Sequence, residues 1–360
     1  CSPETLQLCL DVVKAIKSDA GLSPSTFIRS KDSTCSASTQ PLRKHPTGHR
    51  YDTPHLQSTL GPLFAWRGNW YAIASRHMLL GADETVIYTA LCDAPKRQVL
   101  FMGQERYDAF IYAIMREVSN LHFSVETMRR VLLEQASPQK DVFLERILAD
   151  YERRLQRHGI ALEQAMNDFN RLEDRVIGAL DWAPEIAVNL PYTRDLCVVK
   201  LDKNRFQGFE ENGVTLLNTQ KPDSDIIIRM KAGFDWPFDG LLRLSGFLSL
   251  RQLQDFSEND PYPNACRYYQ VTVRTYLSDE EFTTSWACGV LPHRGDRCPF
   301  SRGGDAGALI VDANGKAVAL VTEGLKGQAD SCDITYGTPF QWAFETVIQG
   351  QYPGADLFDF

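Results

Sequence analysis

The 360-residue chain contains no run of about 18 apolar residues, so no stretch of it is written as a membrane-spanning helix. No Asn-X-Ser/Thr sequon occurs. The chain starts CSPETLQLCL, without an initiator Met or a charged and then apolar leader. These absences point to a trimmed chain of an intracellular, cytoplasmic protein, with no membrane role. An excess of positive charge is missing too: 38 Lys and Arg against 46 Asp and Glu leave a formal charge of −8, a poor surface for nucleic acid. The nine cysteines (Cys1, Cys9, Cys35, Cys92, Cys197, Cys266, Cys288, Cys298 and Cys332) include no Cys-X-X-Cys pair or zinc-like spacing, and their odd number leaves at least one free thiol. Neither a metal nor an organic cofactor is expected. The rival reading is a secreted chain cut after its leader, with Cys298 and Cys332 as the first candidates to pair.

What is present is ordinary globular composition, 43% hydrophobic and 23% charged, over a length suited to one large domain or two coupled ones. Residues 1–50 read as an amphipathic helix over SPETLQLCLDVVKAIK followed by a polar arm rich in Ser, Thr, Pro, Lys and Arg. From 51 to 103 the texture is that of strands, with LGPLFAWRGNWYAIAS as a hairpin about an Arg-Gly-Asn turn. Residues 104–178 carry apolar positions three and four apart. They read as three or four helices broken at Ser124, Ser137-Pro138 and Gly159. Strand texture returns over 179–230 and again over 231–360, which closes with the amphipathic segment FQWAFETVIQG. The whole predicts a mostly β protein, barrel or sandwich, with an α-helical insertion.

Three segments carry candidate chemistry. Serine-dependent acyl transfer needs a hydroxyl nucleophile, an imidazole to take its proton and a carboxylate to fix the imidazole's tautomer. His77 ends the strand-like WYAIASRH. Asp195 immediately precedes the apolar LCVVKL, an entry position that Asp181, Glu185 and Asp202 lack. The third segment is Gly303-Gly304-Asp305-Ala306-Gly307-Ala308, whose glycines let the chain turn so that the amides of 304 and 306 face one developing oxyanion across Asp305. Two strands about an Asn-Gly turn follow and end in Thr322-Glu323-Gly324. The segment DITYGTPFQW comes next.

In this order and context the three segments resemble those of the chymotrypsin-like, or trypsin-fold, serine peptidases. SRH resembles the family's Ala-Ala-His and DLCV its Asp-Ile-Ala-Leu, GGDAG resembles Gly-Asp-Ser-Gly, and TEG resembles the Ser-Trp-Gly edge that pairs with substrate. The chain is most similar to a group of fungal trypsin-like proteins with a helical insertion between histidine and aspartate, over about residues 58–103 and 179–350. The resemblance implies two antiparallel six-stranded β-barrels with a cleft between them, divided as 51–103 with 179–230 and as 231–360. It also implies His77 and Asp195 as base and orienter, residue 306 as nucleophile, and Gly304, Asp305 and Ala306 around the oxyanion. A peptide or protein is the implied substrate, lying along Thr322, Glu323 and Gly324. Phe300, six residues before 306, would make the specificity pocket hydrophobic or shallow, unless Asp333 lines the pocket and favours a basic residue. The helical insertion is read as a packed bundle, with a docking surface for a protein partner as the alternative.

Ala306 has no side-chain oxygen, and no Ile-Val-Gly-Gly-like segment exists for activation by a new N-terminus. A natural pseudopeptidase freed from selection would be expected to decay in more than one part, yet the histidine, the aspartate and the glycines are all present. The favoured reading is an engineered serine-to-alanine change in an endopeptidase. The alternative is a natural pseudopeptidase that binds peptide or protein.

Overall fold

The computed structural model describes residues 36–39, 57–80, 87–90, 97–134, 142–187, 191–206, 209, 211–215, 241–254, 267–276, 282–291, 300–301, 304–312, 314–324 and 334–358. The expected N-terminal helix, the strand at DIIIRM, Asp333 and the cysteines Cys298 and Cys332 lie outside these residues. The chain divides into a unit of residues 1–22 and 103–175 and a second unit of 23–102 and 176–360.

In the second unit, eight strands form one sheet: β1 (Ser36–Thr39), β2 (Gln57–Thr59), β3 (Leu63–Trp66), β4 (Asn69–Ala74), β5 (Tyr88–Thr89), β6 (Gln98–Leu100), β7 (Val176–Ala183) and β8 (Cys197–Leu201). Their order is β2-β1-β6-β7-β8-β4-β3, with β5 on β7, antiparallel throughout. A short helix, α1 (Arg76–Leu80), follows β4. The β3–β4 turn places Arg67 (φ 47°) and Gly68 (φ 75°) in the left-handed region, as a two-residue hairpin that follows the strands' twist demands.

Farther along the chain β9 (Gly213–Thr215) and β10 (Leu241–Arg243) pair with each other. The remaining strands, β11 (Gly246–Phe247), β12 (Arg267–Tyr276), β13 (Phe282–Leu291), β14 (Leu309–Val311), β15 (Lys316–Gly324) and β16 (Thr335–Pro339), make the other large sheet. Its order is β11-β15-β16-β13-β12, with β14 on β15. Every pairing is antiparallel except β11 with β15. The terminal segment is a π-helical stretch, Trp342–Ile348, continued by one α-turn over Gln349–Gln351.

The sheets depart from the expected pair of closed six-stranded barrels. Among the described residues neither path returns to its first strand, and the first sheet has eight strands rather than six. Two strands of that sheet, β1 and β2, fall in Ser-, Thr- and Gln-rich sequence with no apolar alternation, so the two-residue period that marks a strand is absent there. β7 begins within the stretch assigned to the helical insertion. Gly178 explains its register: a Cβ there would lie 2.2 Å from the Lys200 carbonyl oxygen on β8, so only glycine permits the close approach.

One apolar core joins both sheets to the terminal helix. Phe64, Ile73, Leu196 and Val198 come from the first sheet, Leu309, Val311 and Leu320 from the other, and Phe340, Phe344 and Ile348 from the terminal segment. Each such side chain fully buried contributes about 1.5–3 kcal/mol. The outer strand β3 is closed by the end of the chain: Ala65 N donates to the Asp356 carbonyl at 2.7 Å, and Asp356 N donates to that of Ala65 at 3.0 Å.

Among the described residues, the stretch read as three or four helices holds two long ones, α2 (Gln104–Glu134) and α3 (Val142–Phe169), then a 3₁₀ turn over Leu172–Arg175. Ser124 does not break α2 because its hydroxyl donates to the Asn120 carbonyl one turn back at 3.0 Å. Gly159 lies in open space within α3, where the penalty for an interior glycine is only about 1 kcal/mol. Ile114 and Ala161 pack between the helices, while Phe123, Leu133 and Phe143 remain exposed.

Candidate active site

Antiparallel register brings the first two candidates together. Ile73 pairs with Val198 and Ala74 with Cys197, so the exit of β4 and the entry of β8 lie side by side although 118 residues separate His77 from Asp195. Ala72, Ile73, Val198 and Val199 are fully buried, so both faces of this pairing are packed.

Asp195 grips His77 twice. His77 Nδ1 lies 2.5 Å from Asp195 Oδ2, and the His77 backbone amide donates to Oδ1 at 2.9 Å. The carboxylate is nearly enclosed, at 7% exposure, whereas the imidazole keeps 34%. Ser75 Oγ donates to Asp195 Oδ2 at 3.0 Å and sits 2.8 Å from His77 Nδ1, so its oxygen shares the ring proton while its own hydrogen goes to the carboxylate. This network assigns the proton of the neutral ring to Nδ1 and leaves Nε2 as the basic nitrogen.

The charges around the ring set its basicity. Burial pulls the His77 imidazole down, but the hydrogen bond and charge of Asp195, together with the charge of Glu323, raise it above the ordinary histidine value. Glu323 is also raised, first by partial desolvation of a carboxylate whose residue still meets solvent and then by the Asp195 charge, with His77 pulling the other way. Cys197, next to the site, is held well above the usual thiol range by complete burial and by Asp195. Its Sγ rests 3.7 Å from the Ser75 carbonyl, so it is an uncharged packing group and not a nucleophile.

The glycine-rich loop is anchored to the start of the hairpin that carries His77. Thr59 Oγ1 donates to the Gly304 carbonyl at 2.8 Å, and Thr59 N donates to the Ala306 carbonyl at 2.9 Å. On the other side Gly307 N donates to the Val321 carbonyl at 2.7 Å, and Val321 N to that of Ala308 at 2.9 Å. Gly304 (φ 92°) and Gly307 (φ 88°) bracket the turn in the left-handed region. Gly61 completes the seat, because a Cβ there would fall 2.7 Å from the Gly307 carbonyl oxygen. With the Gly304 and Asp305 carbonyls engaged by Thr59 Oγ1 and Ala308 N, the trans peptide planes turn the amides of 305 and 306 the opposite way.

The remaining candidates are distributed around this loop. Thr322, Glu323 and Gly324 form the end of β15, where the pairing with β16 bulges between Val321 and Glu323. Thr322 Oγ1 donates to the Tyr336 carbonyl at 3.3 Å, and Glu323 is exposed. Phe300, expected to shape a specificity pocket, is 3% exposed and packs in a second core with Cys288, Val290, Ile310 and Val318. At that burial it offers a ligand little surface. Sequence reasoning overlooked Ser75, Thr59 and Gly61. Only Gly61 carries a visible cue, a glycine directly before Pro62 at the head of a strand, whereas the two hydroxyls act through contacts across the fold.

No family model, curated protein or solved structure matches the chain. No described helix is long and apolar enough to cross a membrane.

Proposed function

We propose that this protein is the scaffold of a serine endopeptidase, written here without its nucleophile, in which a serine at position 306 would complete a His77–Asp195–Ser triad on a trypsin-like fold. The observation that carries the proposal is the doubly held His77, with Nδ1 on Asp195 at 2.5 Å and the ring partly open to solvent. An isolated histidine at a strand exit would not need a buried carboxylate and a hydroxyl to fix one tautomer.

In this reading Nε2 removes the Oγ proton as the hydroxyl oxygen bonds to the peptide carbonyl carbon. The carbonyl becomes an oxyanion facing the amides of residues 304 and 306. Imidazolium then protonates the leaving amine, the C–N bond breaks, and water repeats the sequence on the acyl-enzyme. The raised basicity of His77 suits the acceptance of that proton, and Asp195 stabilises the imidazolium without taking it. Ala306 stops the first step and leaves the backbone scaffold in place, as an engineered serine-to-alanine change would.

The second reading, a pseudopeptidase that binds peptide or protein, has Ala306 itself in its favour. The test is to install Ala306→Ser and expose the chain to a fluorophosphonate, beside double variants carrying His77→Ala or Asp195→Ala. Labelling at residue 306 that disappears with His77 is the expected result. A folded Ala306→Ser chain that stays unlabelled overturns the peptidase reading in favour of binding.

A further inference from the structure

Glu323 is an exposed carboxylate at the end of β15, within electrostatic range of both His77 and Asp195. Among the described residues no Lys or Arg forms an ion pair with it, and the charges that act on its carboxylate are those of Asp195 and His77. The adjoining backbone is also unfilled. β14 and β11 cover β15 only from Lys316 to Leu320, and Ala308 with Gly307 engages Val321. Beyond Val321, β16 pairs on one side, and no described strand lies on the other.

On the peptidase reading an extended peptide lies along Thr322–Gly324 as an added strand, and we propose that Glu323 there selects peptides carrying a cationic Lys or Arg side chain in register with it. The proposal rests on the peptidase reading for the place of the peptide, and it adds the charge class of the substrate. A strand edge recognises any backbone equally, so discrimination has to come from side chains beside it. A cation there would meet Glu323 and gain from the nearby Asp195, whereas a carboxylate would meet two like charges. The expected preference is about two- to fivefold, the scale of a partly exposed ion pair, and it weakens as salt rises.

The test uses the chain as it stands, with alanine at 306. Blocked, otherwise uncharged hexapeptides carry one Lys, norleucine or Glu moved through successive positions, and affinity is read by titration calorimetry. Lys should exceed norleucine at one position. Glu323→Gln should erase that difference, and Glu323→Lys should transfer the preference to the Glu peptide. Equal affinities at every position, a Lys preference that survives Glu323→Gln, or no binding of any peptide overturns the proposal. Fluorophosphonate labelling of Ala306→Ser separates the two ideas. Labelling without charge preference leaves the peptidase reading and removes this one, whereas charge preference without labelling does the reverse.

Discussion

The two halves of the candidate site are held in different ways. His77 and Asp195 are fixed by side chains, with a short Nδ1–Oδ2 contact, a backbone amide on the second carboxylate oxygen and a bridging Ser75 hydroxyl. The loop at 304–307 is fixed by backbone, with its carbonyls caught by Thr59 and its glycines pressed against Gly61. One half therefore fails when a functional group is lost. The other tolerates the loss of its side chain, which is why Ala306 can coexist with an intact turn.

The largest expected effect lies on the side-chain half. With serine installed at 306, Asp195→Asn should slow fluorophosphonate labelling by about ten-thousand-fold, because an amide opposite Nδ1 favours the wrong tautomer. A loss under tenfold would mean that Asp195 does not orient His77. On the backbone half, Gly61→Ala forces a methyl to 2.7 Å from the Gly307 carbonyl and should cost about 1–3 kcal/mol in denaturant unfolding. Labelling should fall with it. Unchanged stability and labelling would show that the loop is seated by something else.

Thr59→Val tests the same half more gently. It removes the 2.8 Å bond to the Gly304 carbonyl, for about 0.5–1.5 kcal/mol, and should leave the NMR titration of His77 where it was. A moved titration would mean that the two halves are electrostatically one. Glu323→Gln should do the opposite. Loss of its charge lowers the His77 pKa, so the acidic limb of labelling in the Ala306→Ser chain moves to lower pH while the loop is undisturbed. The smallest effect is on stability. Folded His77 holds its proton more tightly than the unfolded chain does, so its contribution is complete below the unfolded histidine pKa and fades as pH rises through the folded one. The stability gap to His77→Gln should therefore narrow on raising the pH, and a gap that widens would contradict the raised basicity.

Legibility in the sequence followed the same division. Strands β3, β4, β8, β14 and β15 announced themselves through apolar runs and Gly-containing turns, and with them the strand-end positions of His77 and Asp195. β1 and β2 did not, because a strand made of Ser, Thr, Ala and Gln is held by its neighbours and not by its own pattern. Ser124 and Gly159 looked like helix stops, and became interior positions once a hydroxyl bonded back one turn and a glycine met open space. Ser75, Thr59 and Gly61 belong to the site only through partners between 2 and 247 residues away, a kind of relation that one-dimensional spacing does not encode.

The bridge from Ala65 to Asp356 has a consequence in time. The outer edge of the first sheet is capped by a residue far downstream of it, on a strand followed within a dozen residues by His77. During synthesis that edge stands bare until Asp356 has left the ribosome, with the donors and acceptors of β3 open to any other strand nearby. A residue made long after β3 thus decides when the nascent sheet stops being adhesive.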